Sequence, residues 1–261
     1  MAVPAIEFVE VSRSFGEQFA AERVSFSVAE GECVALIGVN GAGKTTLLRC
    51  ALDYCRPDGG AVRIHGVDSR QPRARSRLAW LPERFAAPYY LTGRDYLRLA
   101  SELRGQRLDA EAAAAQLAAL DFDVAALARP ARTYSKGMNQ KLGLAACLLA
   151  QRALTVLDEP TSGLDPRARA LVRAALAQVR AAGRTLVFSS HSLAEVAALA
   201  DRVLVMHRAR LVFDGTPAQF ARHWAAPEAA AVPSAVPCAA PASGEFALEQ
   251  AFLRCIGATT A

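Results

Sequence analysis

Hydrophobic and polar residues alternate in the first segments of the chain, AIEFVEVSRSFG and AERVSFSVAEGE. A period of two is typical of strands with one buried face, here in an antiparallel pair. The later segments CVALIG, ALTVLDEP, RTLVFSSH and RVLVMHRARLVFDG are mostly apolar, which indicates strands buried on both faces. Helical segments such as PRARALVRAALAQVRAAG separate them. Strands that alternate with helices favour a parallel sheet covered on both sides.

The pattern changes in two later regions. Between about 85 and 150, DYLRLASELRG and DAEAAAAQLAAL have the spacing of amphipathic helices, which predicts an inserted helical subdomain. Residues 223–245 are rich in alanine and proline and have little periodicity, which predicts a linker. Residues 246–261 predict a short helix that can dock back. The main domain is therefore expected to span residues 1–222.

Composition excludes few classes of partner or cellular compartment. The 261 residues are 52% hydrophobic with a formal net charge of +5, which fits either a nucleic-acid partner or an anionic membrane face. The six cysteines are scattered and form no CxxC pair, so we expect a reducing cytosol and no disulfides. The N-terminal segment lacks the pattern of a signal peptide, and no run of about 18 apolar residues occurs.

The segment GVNGAGKT follows an apolar strand and precedes a helix, which is the context of a P-loop. Its glycines let backbone N–H groups surround phosphates at a helix N-terminus. The chain has only three lysines, and Lys44 is the one whose compact charge fits such a cradle. The residues expected to contact the nucleotide here are Gly38, Asn40, Gly41, Gly43, Lys44, Thr45 and Thr46.

The strand LTVLDEP ends in two acidic residues at the edge where parallel sheets bind ligands. Asp158 fits the carboxylate that holds Mg²⁺ in P-loop NTPases. Glu159 is placed to act as general base on an attacking water. An ordinary acidic pair at a strand end is the simpler reading, but the P-loop makes a catalytic role the better one.

Together these motifs resemble the ATP-binding subunit of an ABC transporter, and further segments match that family in order. YSKGMNQ resembles the signature segment, in which the family uses the serine and second glycine to hold the γ-phosphate of ATP on the partner subunit. SGLDP resembles the D-loop, SSHSLAEV the switch histidine, and WLPERF the Q-loop, with glutamate in place of the usual glutamine. An aromatic residue before the P-loop matches the one that stacks on adenine. The residues concerned are Phe15, Glu83, Ser135, Gly137, Asp165 and His191.

The resemblance implies an α/β fold: a P-loop NTPase core with a parallel sheet, an N-terminal antiparallel β subdomain and an inserted α-helical subdomain. It implies ATP and Mg²⁺ as ligands, with Thr45, Asp158 and Glu83 near the metal and Glu159 and His191 in catalysis. It also implies a homodimer around ATP that powers a separate membrane permease from the inner face of the cell membrane, with no nucleic acid involved. The S-K-G-M form and the C-terminal LEQAF segment are similar to exporter subunits.

Three alternatives stay open at this point. A soluble ABC ATPase acting on nucleic acid or ribosomes usually has coiled-coil insertions or two cassettes, and neither occurs here. A P-loop kinase or GTPase would leave the signature segment unexplained. At the level of single residues, Phe15 can instead be a core side chain, Lys136 a solvated lysine at a helix start, and Lys141 a surface residue. Deletion from Trp224 onward is expected to leave nucleotide binding intact.

Overall fold

The computed structural model describes residues 2–224 and 244–258. The chain begins with an antiparallel sheet of four strands, in the order β2-β1-β4-β5. Its strands are β1 (Ile6–Phe15), β2 (Gln18–Val28), β4 (Gly59–Ile64) and β5 (Val67–Asp68). Alternation along β1 buries Ile6 and Phe8, and a register shift between Phe8 and Val11 brings Val11 to the buried side as well. The predicted antiparallel subdomain is confirmed.

The second sheet has six strands in the order β10-β9-β3-β8-β7-β6, and only the edge strand β10 is antiparallel to its neighbour. The strands are β3 (Cys33–Ile37), β6 (Leu78–Leu81), β7 (Leu154–Asp158), β8 (Thr185–Ser190), β9 (Arg202–His207) and β10 (Arg210–Gly215). Every residue of β3, β7 and β8 is buried, as continuous apolar strands require when both sheet faces are covered.

Successive residues of β3 face two different cores. Val34 and Leu36 pack with the antiparallel sheet and with helix α1 (Lys44–Ala51), which lies between the sheets. Cys33, Ala35 and Ile37 pack on the opposite side, in the core that the other helices cover. The P-loop therefore begins at the end of a strand that is packed on both faces. This packing fixes the position of the loop.

The remaining helices lie mostly around this second core. They are α2 (Pro72–Arg75), α3 (Gly93–Glu102), α4 (Ala110–Ala119), α5 (Lys136–Leu149), α6 (Pro166–Ala181), α7 (Leu193–Leu199), α8 (Pro217–His223) and α9 (Gly244–Ala258). Helices α3 to α5 form the expected helical insertion. The arginine-rich segment before β6 contains the one-turn helix α2, which begins with a proline at its first position.

Helix α9 begins two residues earlier than the sequence indicated and packs on α7 and α8. Leu248, Ala251 and Cys255 are fully buried in the same core as the central sheet. Their spacing of three and four residues places them on one face of the helix. The expected docking of this helix is thus present, whereas most of the expected linker, residues 225–243, lies outside the described residues.

Candidate functional site

The loop between β3 and α1 has a backbone that only glycine allows at two positions. A Cβ on Gly43, where φ is +104°, would lie 1.8 Å from the carbonyl oxygen of Ala20. A Cβ on Gly38 would lie 2.4 Å from the carbonyl oxygen of Met206. Because the neighbouring strands approach so closely, the loop keeps its shape and its N–H groups stay at the N-terminus of α1.

Lys44 points back into this loop. Its Nζ donates to the carbonyl oxygen of Gly38 at 2.6 Å and lies 4.0 Å from Oε1 of Glu159. Burial lowers the pKa of Lys44, and the nearby carboxylates of Glu159, Asp158 and Glu83 oppose that shift. The structure therefore holds a buried cation next to the acidic strand end, and the contact of Lys44 with a phosphate stays a prediction.

The end of β7 is tied to the end of β8 by one serine. Asp158 pairs with Ser189 in the parallel ladder. The hydroxyl of Ser189 donates to Oδ1 of Asp158 at 2.6 Å and accepts from the backbone N–H of Glu159 at 2.9 Å. Glu159 itself has a φ of +48°, a left-handed conformation that is uncommon for a residue with a side chain. Ser189 thus fixes the end of β7, from which both acidic side chains extend.

His191 completes this edge of the sheet. Its Nδ1 lies 2.7 Å from Oε2 of Glu159, while the histidine side chain is 62% exposed and the glutamate side chain only 10%. The imidazole is therefore held by one hydrogen bond at the opening of the site. Glu159 has Lys44 near one oxygen and His191 on the other, which is a suitable arrangement for a carboxylate that must accept a proton and be returned to its starting position.

These groups surround a cavity of about 690 Å³. We call it the phosphate cavity. Among the described residues its walls are formed by Ala20, Gly38, Val39, Asn40, Gly41, Ala42, Gly43, Lys44, Thr45, Thr46, Glu83, Glu159, Ser162, His191 and Phe252. The structure therefore brings together the P-loop residues, Glu83, Glu159 and His191, all of which were expected from the sequence.

Apart from the signature and D-loop residues described below, two expected residues lie outside this wall. Asp158 is buried below it, beside Ser189. Phe15 is 56% exposed, and the guanidinium of Arg13 lies 4.8 Å from the centre of its ring. The reading of Phe15 as a core residue does not fit its exposure. Its role in adenine binding stays a prediction.

The signature segment lies on a different cleft, of about 540 Å³, which shares no lining residue with the phosphate cavity. We call it the signature cleft. Its walls in the described chain are formed by Asp121, Phe122, Asp123, Arg129, Ser135, Lys136, Gly137, Met138, Lys141, Gly163, Leu164 and Asp165. Ser135 caps helix α5 by accepting from the N–H of Met138 at 3.1 Å. Asp165 caps α6 in the same way, and the N–H of Ala168 lowers its pKa.

The two other lysines also belong to this cleft. Nζ of Lys136 lies 3.4 Å from the hydroxyl of Ser162, a residue of the phosphate cavity. Nζ of Lys141 donates to the carbonyl oxygen of Asp121 at 2.8 Å. The lysine at the helix start therefore lies at the border between the two clefts, whereas Lys141 connects two parts of the helical subdomain.

Several residues of this region escaped the sequence analysis. Glu195 is 2% exposed and accepts from the hydroxyls of Thr161 at 2.6 Å and Ser190 at 2.8 Å. Gln140, also 2% exposed, donates from Nε2 to the carbonyl oxygen of Pro160 at 3.3 Å. Each is a polar residue on a helix that the pattern places at the surface. Only the packing of that helix against the segment after β7 reveals its role.

Comparison with known proteins places this geometry in a family. Residues 21–162 match the family model described as ABC transporter. Over 223 residues the chain is 37% identical to Nod factor export ATP-binding protein I of Burkholderia orbicola, covering 83% of this chain and 72% of that protein. The protein of the same name from Sinorhizobium fredii is 36% identical, with 82% and 63% covered.

Solved structures agree with this result. The structure of an ATP-binding subunit of an ABC transporter is 31% identical, with a TM-score of 0.73 over 84% of this chain and 92% of that one. A dimeric ATP-binding cassette bound to ADP and Pi has the same fold at 19% identity, with a TM-score of 0.73 over 81% of this chain and 98% of that one. The chain therefore belongs to the ABC transporter family, in which it is an ATP-binding subunit that hydrolyses ATP.

Proposed function

We propose that two copies of this chain close around two ATP molecules and that the cycle of closure and hydrolysis drives export through a separate membrane permease. The observation that carries the proposal is the division of the expected site residues between the phosphate cavity and the signature cleft. Neither region alone contains all the residues expected to contact the nucleotide. A second copy placed head to tail would set Ser135 and the N-terminus of its α5 against the nucleotide held by Lys44.

Hydrolysis in such a site depends on positioning and electrostatics. Glu159 takes the proton of the attacking water, since its Oε2 is oriented by His191 and its Oε1 faces the cavity near Lys44. His191 holds the carboxylate and contacts the γ-phosphate from the exposed side. Lys44 and the loop N–H groups stabilise the charge that moves onto the leaving phosphate.

The residues at the cavity also fit Mg²⁺. The hydroxyl of Thr45 and the carboxylate of Asp158 are hard oxygen donors, and Glu83 lies in the same cavity wall. Across residues 2–224 and 244–258, no three His, Cys, Asp or Glu side chains are grouped as a metal site. Mg²⁺ usually completes its shell with water and substrate phosphates, so few protein ligands suffice. When bound, the ion neutralises charge on the β- and γ-phosphates.

A permease would dock next to the Q-loop segment. Tyr89 and Tyr90 follow Glu83 and Phe85 closely, are 70% and 66% exposed, and stack edge to face with ring centres 5.3 Å apart. Exposed aromatic pairs are typical of protein interfaces. Within residues 2–224 and 244–258, every helix falls short of the length and hydropathy that a bilayer span requires. We therefore place the chain on the inner face of the membrane, bound to a permease that chooses the cargo.

The direction of transport follows from the relatives. The Burkholderia and Sinorhizobium proteins are named as export subunits, and the S-K-G-M signature and C-terminal helix of this chain are similar to such subunits. A role on nucleic acid would need a surface for it, and the two clefts described above are instead accounted for by ATP and a second copy.

A cross-link between two differently tagged chains tests the proposal. One chain carries Asn40→Cys and the other Ser135→Cys, both at exposed positions, and both carry Glu159→Gln to slow hydrolysis. Because each chain has one introduced thiol, a disulfide between the two tags can only be intermolecular. Facing cysteines need Cα atoms within about 7 Å. We expect the mixed product with ATP and little without it.

The native cysteines need little change for this experiment. Burial raises the pKa of Cys33, Cys50 and Cys147 to about 12, so these thiols are unreactive at neutral pH. Burial also raises the pKa of Cys255, and Cys55 and Cys238 are replaced by serine. Ala115→Cys, exposed on α4 away from the signature cleft, replaces Ser135→Cys in the control pair. Equal cross-linking of both pairs, or none with ATP, would refute the head-to-tail dimer.

A further inference from the structure

Helix α9 is joined to the nucleotide site by one aromatic side chain. Phe252 is half-buried against the main core and also forms part of the wall of the phosphate cavity, together with Ser162 and His191. All other described lining residues belong to the segment from Ala20 to His191. The C-terminal helix therefore reaches the reaction site, although the sequence pattern marked it only as a short helix that can dock.

The docking of α9 is firm enough to place that side chain. Leu248, Ala251 and Cys255 bury one face of the helix, and Nη1 of Arg254 donates to the carbonyl oxygen of Trp224 at 3.1 Å. Phe252 follows Ala251 directly, so it lies at the edge of the buried face. Its position is thus set by the packing of its neighbours on α7 and α8.

Helix α7 connects the docked helix α9 to His191. It begins at Leu193, two residues after His191, and α9 packs on it. The imidazole is mostly exposed and has one hydrogen-bond partner, Glu159. A side chain with a single partner and open space on one side keeps much of its rotational freedom. Phe252 forms part of the same cavity wall, and a ring in that wall narrows the space open to the imidazole without competing for the hydrogen bond.

The composition of the cavity wall also supports a role for Phe252 at the reaction site. Phe252 is the only Phe, Tyr or Trp among the described residues that line the phosphate cavity. Most of the large side chains around it are polar or charged. An apolar surface at this end excludes bulk water, and with less water the interactions of Lys44, Glu159 and His191 with a phosphate become stronger.

We propose that Phe252 is a positioning residue of the ATPase, which holds His191 in place and makes turnover depend on the docking of α9. This inference rests on the proposed role of His191 in hydrolysis. It predicts an effect on the chemical step and little effect on ATP binding, since the P-loop contacts do not involve α9. Stacking of Phe252 on adenine would give the opposite pattern.

The experiment compares substitutions in the full-length chain. Phe252→Ala should lower kcat roughly tenfold, and KM for ATP and the Kd measured in a Glu159→Gln background should stay within about twofold, because the lost contact orients a catalytic group. Phe252→Leu should restore most of the rate. Phe246→Ala and Leu253→Ala, both on exposed faces of α9, are the matched controls and should turn over like the wild type.

A double-mutant cycle identifies the route of the effect. In a His191→Ala background, Phe252→Ala should cause no further loss of kcat, because the group that it positions is gone. An unchanged rate for Phe252→Ala, the same tenfold loss in both backgrounds, or a loss confined to ATP affinity would each overturn the inference. The proposed function fails separately: in that case the Asn40→Cys and Ser135→Cys pair, with Phe252 intact, would show no ATP-dependent cross-link.

Discussion

The phosphate cavity and the signature cleft differ in how far one chain completes them. The cavity has its charged groups buried and connected to one another, with Lys44 and Glu159 each less than a tenth exposed. In the cleft, Ser135 and Lys136 are exposed, and each binds only to its own segment or to the adjacent loop. The difference fits the proposed dimer: the charged groups of the cavity are already held in place in a single chain, whereas the cleft presents Ser135 and Lys136 outward.

The largest expected effect comes from a substitution in the phosphate cavity. Glu159→Gln keeps the size of the side chain and removes its basicity, so kcat should fall by about 10²- to 10⁴-fold, the range of a positioned acid–base group. ATP binding should persist. Phosphate release in purified protein measures the change, and Glu30→Gln, on an exposed turn, is the control. Near-normal turnover would remove Glu159 from the role of base.

A second substitution tests the buried contacts that connect the phosphate cavity to the signature cleft. Glu195 holds Thr161 and Ser190, and the segment after Thr161 supplies Ser162 to the cavity and Gly163 to the cleft. Glu195→Ala should lower the free energy of unfolding by about 2–4 kcal/mol, because two buried hydroxyls lose their acceptor.

Denaturant unfolding measures that change, with Glu249→Ala on the exposed side of α9 as control. Thr161→Val in the Glu195→Ala background should cost less than it does alone, since its partner is already absent. Additive losses would show that the carboxylate and the threonine do not act as a pair.

The third prediction concerns the cleft side. If Lys136 interacts with the nucleotide on a second copy, Lys136→Met should lower kcat roughly tenfold through the loss of one charge-assisted contact. ATP binding by the separate chain should not change. Lys141→Met is the matched control because Lys141 lies in the same cleft and bonds to a carbonyl within its own subdomain. A steady-state ATPase assay that gives equal rates for both variants would identify Lys136 as a solvated surface lysine.

The smallest expected effect is a pH dependence in the cleft. Asp165 has its pKa lowered by the N–H of Ala168 in the folded chain, so its contribution to stability is present above the unfolded pKa and is lost as the pH falls through the folded pKa. Asp165→Ala should therefore lower Tm slightly at pH 7, and the difference should vanish in acid. Asp165→Asn keeps the cap and should show a weaker pH dependence. Thermal unfolding measured from neutral to acidic pH checks this.

Local patterns were sufficient for much of the molecule. The P-loop and the strand end at Asp158 were recognised because each is a short segment whose spacing fixes its own geometry, and His191 was recognised through the resemblance to the ABC family. The two sheets also followed from periodicity, since period-two alternation and continuous apolar runs differ plainly in the sequence. The roles of these residues in catalysis stay predictions until they are tested.

The remaining features depend on contacts between distant segments. Glu195 lies on α7 at a position that a helical pattern assigns to solvent, and it is buried only because the loop after β7 packs over it. Phe252 reaches the cavity because α9 folds back onto α7. Such contacts between distant segments leave no period in the sequence. Helix α2 leaves no sequence signal for a related reason: a single helical turn is too short to show periodicity.

The left-handed backbone at Glu159 has a thermodynamic consequence. A residue with a side chain pays about 1–2 kcal/mol in this conformation, and glycine does not. On the proposed role of Glu159 as general base, this local cost is the part of the chain's marginal stability that is given up to place a carboxylate at the end of β7.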